Sequence, residues 1–282
     1  MSKARDIADV GAIVGRKNLI INGGFDVWQR GTSFSHTAIT DSYTADRWLH
    51  ANNGTTSTTI QAWDIINSEK ITTVVAESVG YTYNALIQRL EGLRKLQGKT
   101  LTLSFWVKSN VGTESQYIEF RDSIGNVVTE KTFSVTYTGS WQYVTHTFDV
   151  PTDVLYDNDL SWFNVSFYGG DSLALANVQL ELGSQATDFE YRSYGEELSL
   201  CLRYYQKGRS SVYDSADNAT RYGSDNFVVP MRATPTMVRT GPYISSVSET
   251  GTIFLAADVY SFYFANNGSI AAGGTFTADA EL

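Results

Sequence analysis

The sequence predicts an all-β protein, an antiparallel sandwich or barrel, and three observations point there. Aromatic residues are plentiful (17 Tyr, 14 Phe and 6 Trp) beside only 4 prolines, and such side chains suit a pleated, half-buried surface. From Asn18 to about Arg192, short apolar runs recur, several with strict period-2 alternation. Turn residues punctuate them at Gly112, Gly125-Asn126, Gly139-Ser140, Pro151 and Gly169-Gly170.

Residues 1–17 stand apart. Ala4, Ile7, Ala8 and Val10 give a weak helical stripe that Gly11 and Gly15 interrupt. A helix this short is marginal alone, so the segment either pairs with copies of itself or frays. The stretch 18–49 reads as the first strands. Leu19-Ile20-Ile21 breaks on Asn22-Gly23-Gly24 and restarts at Phe25–Trp28, then closes on Trp48; such turns need positive φ. Strands come next at Thr58–Trp63, Ile71–Val75 and Leu101–Val107, where Leu101, Leu103, Phe105 and Val107 share one face. Tyr117–Phe120, Val127–Val135, Trp141–Val150, Trp162–Tyr168 and Ala174–Leu182 continue the series. One helical turn is expected over Leu90–Gln97, with Gly98 as its stop.

A helix is predicted from Tyr194 or Gly195 to Gln206. Leu198, Cys201, Leu202 and Tyr205 form its buried stripe, Glu196 and Glu197 sit in its first turn, and Gly208 ends it. Short apolar runs after it make residues 193–282 a second, smaller β-rich unit. The organisation is therefore 1–17, 18–192 and 193–282.

Net charge is −9, from 30 acidic and 21 basic residues, which argues against nucleic acid as a partner because phosphate contacts need clustered Lys and Arg. The single cysteine, Cys201, excludes an intrachain disulfide. No signal-peptide pattern and no apolar run of membrane-spanning length is visible, so membrane insertion is not expected.

Catalytic signatures are missing. His36, His50 and His146 are not spaced as metal pairs, and no G-x-S-x-G elbow, P-loop or Rossmann glycine pattern occurs. Glu114, Glu119 and Asp122 lie around one strand and offer the one set of carboxylates for glycosidase chemistry, although solvated strand faces carry acids routinely. No enzyme is predicted. Trp28, Trp48, Trp106, Trp141 and Trp162 read as core anchors. Trp63, Tyr81, Tyr83, Tyr117, Tyr137 and Tyr156 lie at run edges or in loops, where an exposed ring could stack on a sugar.

The motifs SKARDIADVG, NLIINGGFDVWQRGTSF, YTADRW, LQGKTLTLSFWVKS, NVQLELGSQATDFEYRSYGEELSLCLRYY and VVPMRATPT occur in this order. Together they resemble a bacteriophage tail fibre family that carries a carbohydrate-binding-module-like jelly roll. The resemblance implies a jelly-roll sandwich over 18–192 and a homotrimeric virion protein made in the bacterial cytoplasm. It implies non-catalytic binding of a bacterial surface polysaccharide, with attachment to other tail proteins through residues 1–17. The alternative within the family is a structural tail component. Modules of this kind often hold a structural calcium between first and last strands; the matching positions are Asp26 and Asn177, and no other cofactor is implied.

Overall fold

The computed structural model describes residues 16–35, 41–52, 64–66, 69–77, 84–110, 112–122, 126–152, 162–169, 172–214, 221–240, 247–255, 259–266 and 270–281. The chain divides into two compact units, Met1–Tyr194 and Gly195–Leu282. Residues 1–15, over which the helical stripe is expected, and Trp63, Tyr81, Tyr83, Tyr156 and His36 lie outside the described residues.

The first unit is an antiparallel β-sandwich. One sheet has six strands: β1 (Ser42–Tyr43), β2 (Trp48–Asn52), β6 (Asn84–Leu90), β11 (Trp162–Gly169), β8 (Gly112–Arg121) and β9 (Val127–Tyr137), in that spatial order. The other orders β10 (Gln142–Asp149), β7 (Thr100–Ser109), β12 (Ser172–Leu182) and β5 (Val74–Glu77). A separate short pair, β3 (Asp64–Ile66) and β4 (Glu69–Ile71), completes the strands among the described residues of this unit. From β5 to β12 the chain steps back and forth between the two large sheets, except that β8 and β9 follow each other as neighbours in the six-stranded sheet, and this is the crossing pattern of a jelly roll.

Period-2 patterning explains why these strands face as they do. Leu101, Leu103, Phe105 and Val107 of β7 all point inward and are fully buried. They meet Ile118 and Phe120 of β8, Leu86 of β6, Val165 and Phe167 of β11, and Leu173, Leu175 and Leu180 of β12 in one core. Phe105 packs edge-on to Phe167 at 4.7 Å, and Trp48 sits 4.9 Å from Phe25. The expected helical turn is α1 (Leu93–Leu96), which buries Leu96 and is followed by Gly98 at φ 70°.

The opening stretch departs from expectation. Residues 18–35 form turns and irregular backbone, and the first strand among the described residues begins at Ser42. Asn22 and Phe25 both take φ of 56°, which breaks any strand there. Leu19 N donates to Leu180 O (2.8 Å) and Val178 N to Gly23 O (2.9 Å), so the stretch lies against β12 by isolated bonds. Gly23 is required: a Cβ there would fall 2.1 Å from Val178 O. Opposite it, β12 shifts register between Ala176 and Gln179, and Asn177 takes φ 46°. Trp48 is in the core as expected, Trp28 is half-buried against it, and Trp106 is half-buried on the outward face of β7.

In the second unit the helix α2 spans Tyr194–Leu202, ending short of the predicted Gln206. Tyr204 N bonds Cys201 O in a closing turn (2.9 Å), and the β-favouring Tyr205 opens strand β13 (Tyr205–Asp214). Gly208 lies within β13, where the Phe276 ring occupies the space a Cβ would need, 2.3 Å away. Two three-stranded antiparallel sheets complete the unit, β13–β18–β15 and β14–β17–β16, with β14 (Arg221–Asn226), β15 (Thr236–Thr240), β16 (Val247–Leu255), β17 (Val259–Asn266) and β18 (Ile270–Asp279). Tyr260 bridges them, 5.1 Å from Phe227 and 4.8 Å from Phe276.

Candidate functional site

The outward face of the six-stranded sheet gathers polar and aromatic side chains that the core does not use. In β8, Ile118 and Phe120 point inward, so Tyr117, Glu119 and Arg121 point outward. In β11, Val165 and Phe167 are inward, which turns Asn164, Ser166 and Tyr168 outward. Antiparallel register places Asn164 opposite Glu119 and Ser166 opposite Tyr117. On the other side, Asn164 faces Arg89, Ser166 faces Ile87 and Tyr168 faces Ala85 of β6.

These neighbours interlock. Arg121 Nη2 donates to both oxygens of Glu119, at 3.1 and 3.0 Å. Asn164 Nδ2 donates to Glu119 Oε2 at 2.9 Å. The Tyr117 and Tyr168 rings meet edge to face at 5.0 Å. Beside them Leu49, Ala51, Ala85 and Ile87 form a small apolar cluster with Tyr43 and Tyr168 packed against it. Asn164 and Ser166 are 3% and 1% exposed, and Asn164 Oδ1 and Ser166 Oγ have no hydrogen-bond partner. The amide orientation comes from chemistry: an ionised carboxylate only accepts, so the nitrogen faces Glu119 and the oxygen is the free end.

Of the six aromatic candidates, Tyr117 is the one that the described structure brings into this face. Tyr137 is corrected. It is 2% exposed, its hydroxyl donates to Tyr168 O at 2.6 Å, and it accepts from Gln116 Nε2 at 3.1 Å. Burial pushes its phenol well up, only partly opposed by Gln116 and reinforced by Glu114, so it serves as a neutral buried brace and not as a stacking platform. Sequence reasoning misses Asn164, Ser166 and Tyr168, although the alternation in WFNVSFY already separates them from Val165 and Phe167. On the opposite sheet, Trp106 lies 5.4 Å from Tyr143, which is 48% exposed.

The carboxylates do not form a catalytic pair. Glu119 is engaged by Arg121 and Asn164, Glu114 has the opposite strand parity, and Asp122 accepts from Asn126 N (2.8 Å) and Nδ2 (3.0 Å). His146 stacks on Phe133 at 4.1 Å, and burial lowers its pKa, which favours the neutral ring. His50 is fully buried on the inward face.

Calcium takes about six to eight oxygens. At the place the resemblance indicates, Asp26 Oδ1 accepts from Thr72 Oγ1 at 3.3 Å, while Asn177 spends its Nδ2 on Tyr191 Oη at 3.0 Å. Among the described residues no three His, Cys, Asp or Glu side chains gather. Asp26 Oδ and Asn177 Oδ1 are the side-chain oxygens at that place, and the remaining ligands of a calcium ion would have to be main-chain carbonyls or water.

No family model matches the chain, and no curated protein does. Solved structures do align with it. One is the enzymatically active domain of tailspike protein 4 of bacteriophage CBA120, at TM-score 0.36 and 17% identity, covering 59% of this chain and 21% of that one. A CBM4 module aligns at TM-score 0.36 and 16% identity, over 57% of this chain and 98% of that one. A cyclase from Fischerella sp. TAU aligns at TM-score 0.39 and 12% identity, over 61% and 100%. All three fall below a TM-score of 0.5 and carry no functional weight. Among the described residues, no helix is long and apolar enough to cross a membrane.

Proposed function

We propose that this chain is a non-catalytic, homotrimeric component of a bacteriophage tail that binds a bacterial surface polysaccharide on the outward face of the six-stranded sheet. The observation that supports the reading best is that face itself. It combines the Tyr117–Tyr168 ring pair, the Glu119–Arg121 ion pair and two buried polar atoms left without partners. Sugars carry C–H faces that lie on aromatic rings and hydroxyls that donate and accept together. Asn164 Oδ1 wants a donor, and a sugar hydroxyl supplies one. Both free atoms lie below the surface, so a sugar would reach them as the flanking Arg89, Arg121 and Tyr117 side chains part. The ordered tail-fibre motifs supply the biological setting: a virion protein, joined to other tail proteins through residues 1–17.

Trimeric display suits weak recognition. A millimolar sugar site contributes only about 4 kcal/mol, and linking sites raises avidity by about 10²–10⁴. The test is binding of the full chain to host cells and to a glycan array, competed by purified host polysaccharide. Tyr117→Ala and Asn164→Ala should each weaken binding about tenfold, or about 1.4 kcal/mol. Binding unchanged by both variants moves the site off this face. No glycan held at any salt or calcium concentration overturns the reading and leaves a structural tail part. Turnover of host capsule in a reducing-end assay would overturn the non-catalytic assignment.

A further inference from the structure

The two ends of the sandwich are tied directly to each other, side chain to backbone. Lys17 N and Asn18 N both donate to the Glu190 carboxylate, at 3.3 and 2.8 Å. Arg192 reaches back to the carbonyls of Ile20 (3.1 Å) and Asn18, and its Nη2 also meets Glu190 Oε2 at 3.0 Å. Lys17 Nζ donates to Thr187 Oγ1 and Asp188 O. Beneath these, Gln179 and Glu181 of β12 hold the outgoing segment: Glu190 N donates to Gln179 Oε1 (2.8 Å), and Thr187 N to Glu181 Oε1 (2.8 Å). Asn18 closes the set, accepting from Leu180 N (3.0 Å) and donating to Val178 O (3.1 Å).

The arrangement has a mechanical consequence. Residues 17–20 are where the sandwich begins, and residues 187–192 are where it ends. Tension pulling the chain outward at both of these segments meets their mutual contacts and their bonds to β12 before it reaches the pairing between strands of either sheet. Several charge-assisted bonds, partly shielded from water, must then break together. We propose that this clasp, centred on Asn18, Glu190 and Arg192, is a force-bearing closure that lets the chain transmit load past the sandwich without unravelling it. A fibre component held at one end by the tail and at the other by a host surface needs such a closure. That use rests on the function proposed above, but the clasp can be tested without any glycan.

The experiment is single-molecule force spectroscopy on the full chain with handles at its two ends. Arg192→Ala should shorten the lifetime of the first unit at constant force about tenfold. Arg192→Lys, which keeps the charge but loses the two-pronged geometry, should fall between it and the parent chain. Handles moved to Thr113 and Thr145, exposed positions on β8 and β10, load the two sheets without crossing the clasp, and there the same variants should match the parent. Equal lifetimes for parent and Arg192→Ala under end handles would overturn the proposal. So would equal shortening from both handle pairs, because the arginine would then merely stabilise the fold. If Arg192→Ala does not fold, Glu190→Gln and Lys17→Ala carry the same comparison. A failure here leaves glycan binding standing, and a failure to bind glycan leaves the lifetimes unchanged.

Discussion

Strand β7 and residues 18–28 are both largely buried, by opposite means. In β7 the main chain pairs with β10 on one side and β12 on the other over most of its length, which frees alternate side chains to be purely apolar. Residues 18–28 have no continuous neighbour strand, and asparagine side chains stand in for one. Asn22 Nδ2 donates to Val27 O (2.9 Å) and Asp46 O (3.0 Å), and its Oδ1 accepts from Val27 N (3.0 Å). Its carbonyl accepts from Trp48 Nε1 at 2.9 Å. The difference shows that buried main chain must be satisfied somewhere, and that a short amide side chain is as good a partner as a strand when the turn needs positive φ.

The sharpest way to break this comparison is to truncate one element of each kind. Phe105→Ala, in the middle of β7, should cost about 3–5 kcal/mol, read as a fall in the urea midpoint. Asn22→Ala removes far less volume, yet it strips the side-chain partner from Val27 N and from Asp46 O, while Val27 O keeps its bond from Asp46 N (3.1 Å). Each buried group left bare costs about 1–3 kcal/mol, and partial rescue by water brings the expected total to about 3 kcal/mol. A loss below about 1 kcal/mol would mean that residues 18–28 are held by packing alone. Asn22→Gly separates the two contributions, because glycine keeps the φ of 56° but makes no side-chain bond; it should lose nearly as much as alanine.

The same contrast explains what is legible in the sequence. The strands with strict alternation can be read with their faces, because period 2 and burial carry the same information: Leu101 through Val107 is the clearest case. The opening stretch reads wrongly as strands because its apolar residues are buried like strand residues, while the feature that decides its path is a set of long-range side-chain bonds. Asn18 meets Leu180 across 162 positions of sequence, and no local pattern announces that. The helix after Tyr194 is legible in its start and its acidic first turn, but not in its end. A strand pairing, Tyr205 with Asp279 of β18, captures the tyrosine that the helical stripe also fits. The candidate face is half legible. Tyr117 can be named from its place at a run edge, but Asn164 and Ser166 matter only through their register with Glu119 and Tyr117.

A smaller effect comes from pH, and it separates the clasp from the apolar core. Burial raises the Glu190 pKa, but the backbone amides of Asn18 and Lys17, together with Arg192, outweigh it and leave the carboxyl below its usual 4.5. The folded value lies below the unfolded one, so its contribution is fully present above about pH 4.5 and is lost as pH falls through the folded value. Thermal melts from pH 7 downward should therefore show a loss in the parent chain that Glu190→Gln, already lacking the charge, shows less of. Phe105→Ala should keep the parent's pH slope. Parallel slopes for parent and Glu190→Gln would remove Glu190 from the set of groups that hold the ends together.

Asp26 gives the smallest and most discriminating effect, because its sign is reversed. Burial raises its pKa above the ordinary 3.8, and the hydrogen bond from Thr72 only partly offsets that. A folded value above the unfolded one contributes stability below about pH 3.8 that is lost as pH rises through the folded value. Asp26 is exposed, so the charged carboxylate loses only a little to this partial desolvation at neutral pH. Asp26→Asn keeps an oxygen for the Thr72 hydroxyl and removes the charge, so melting at pH 7 should rise slightly, and the gain should disappear near pH 3. A fall at pH 7 without added calcium would show that the carboxylate is worth more to the fold than burial costs it. Calcium supplies the second arm. If it raised the melting temperature of the parent chain and left Asp26→Asn unmoved, Asp26 would be a ligand after all, with main-chain carbonyls making up the oxygens that the neighbouring side chains do not provide.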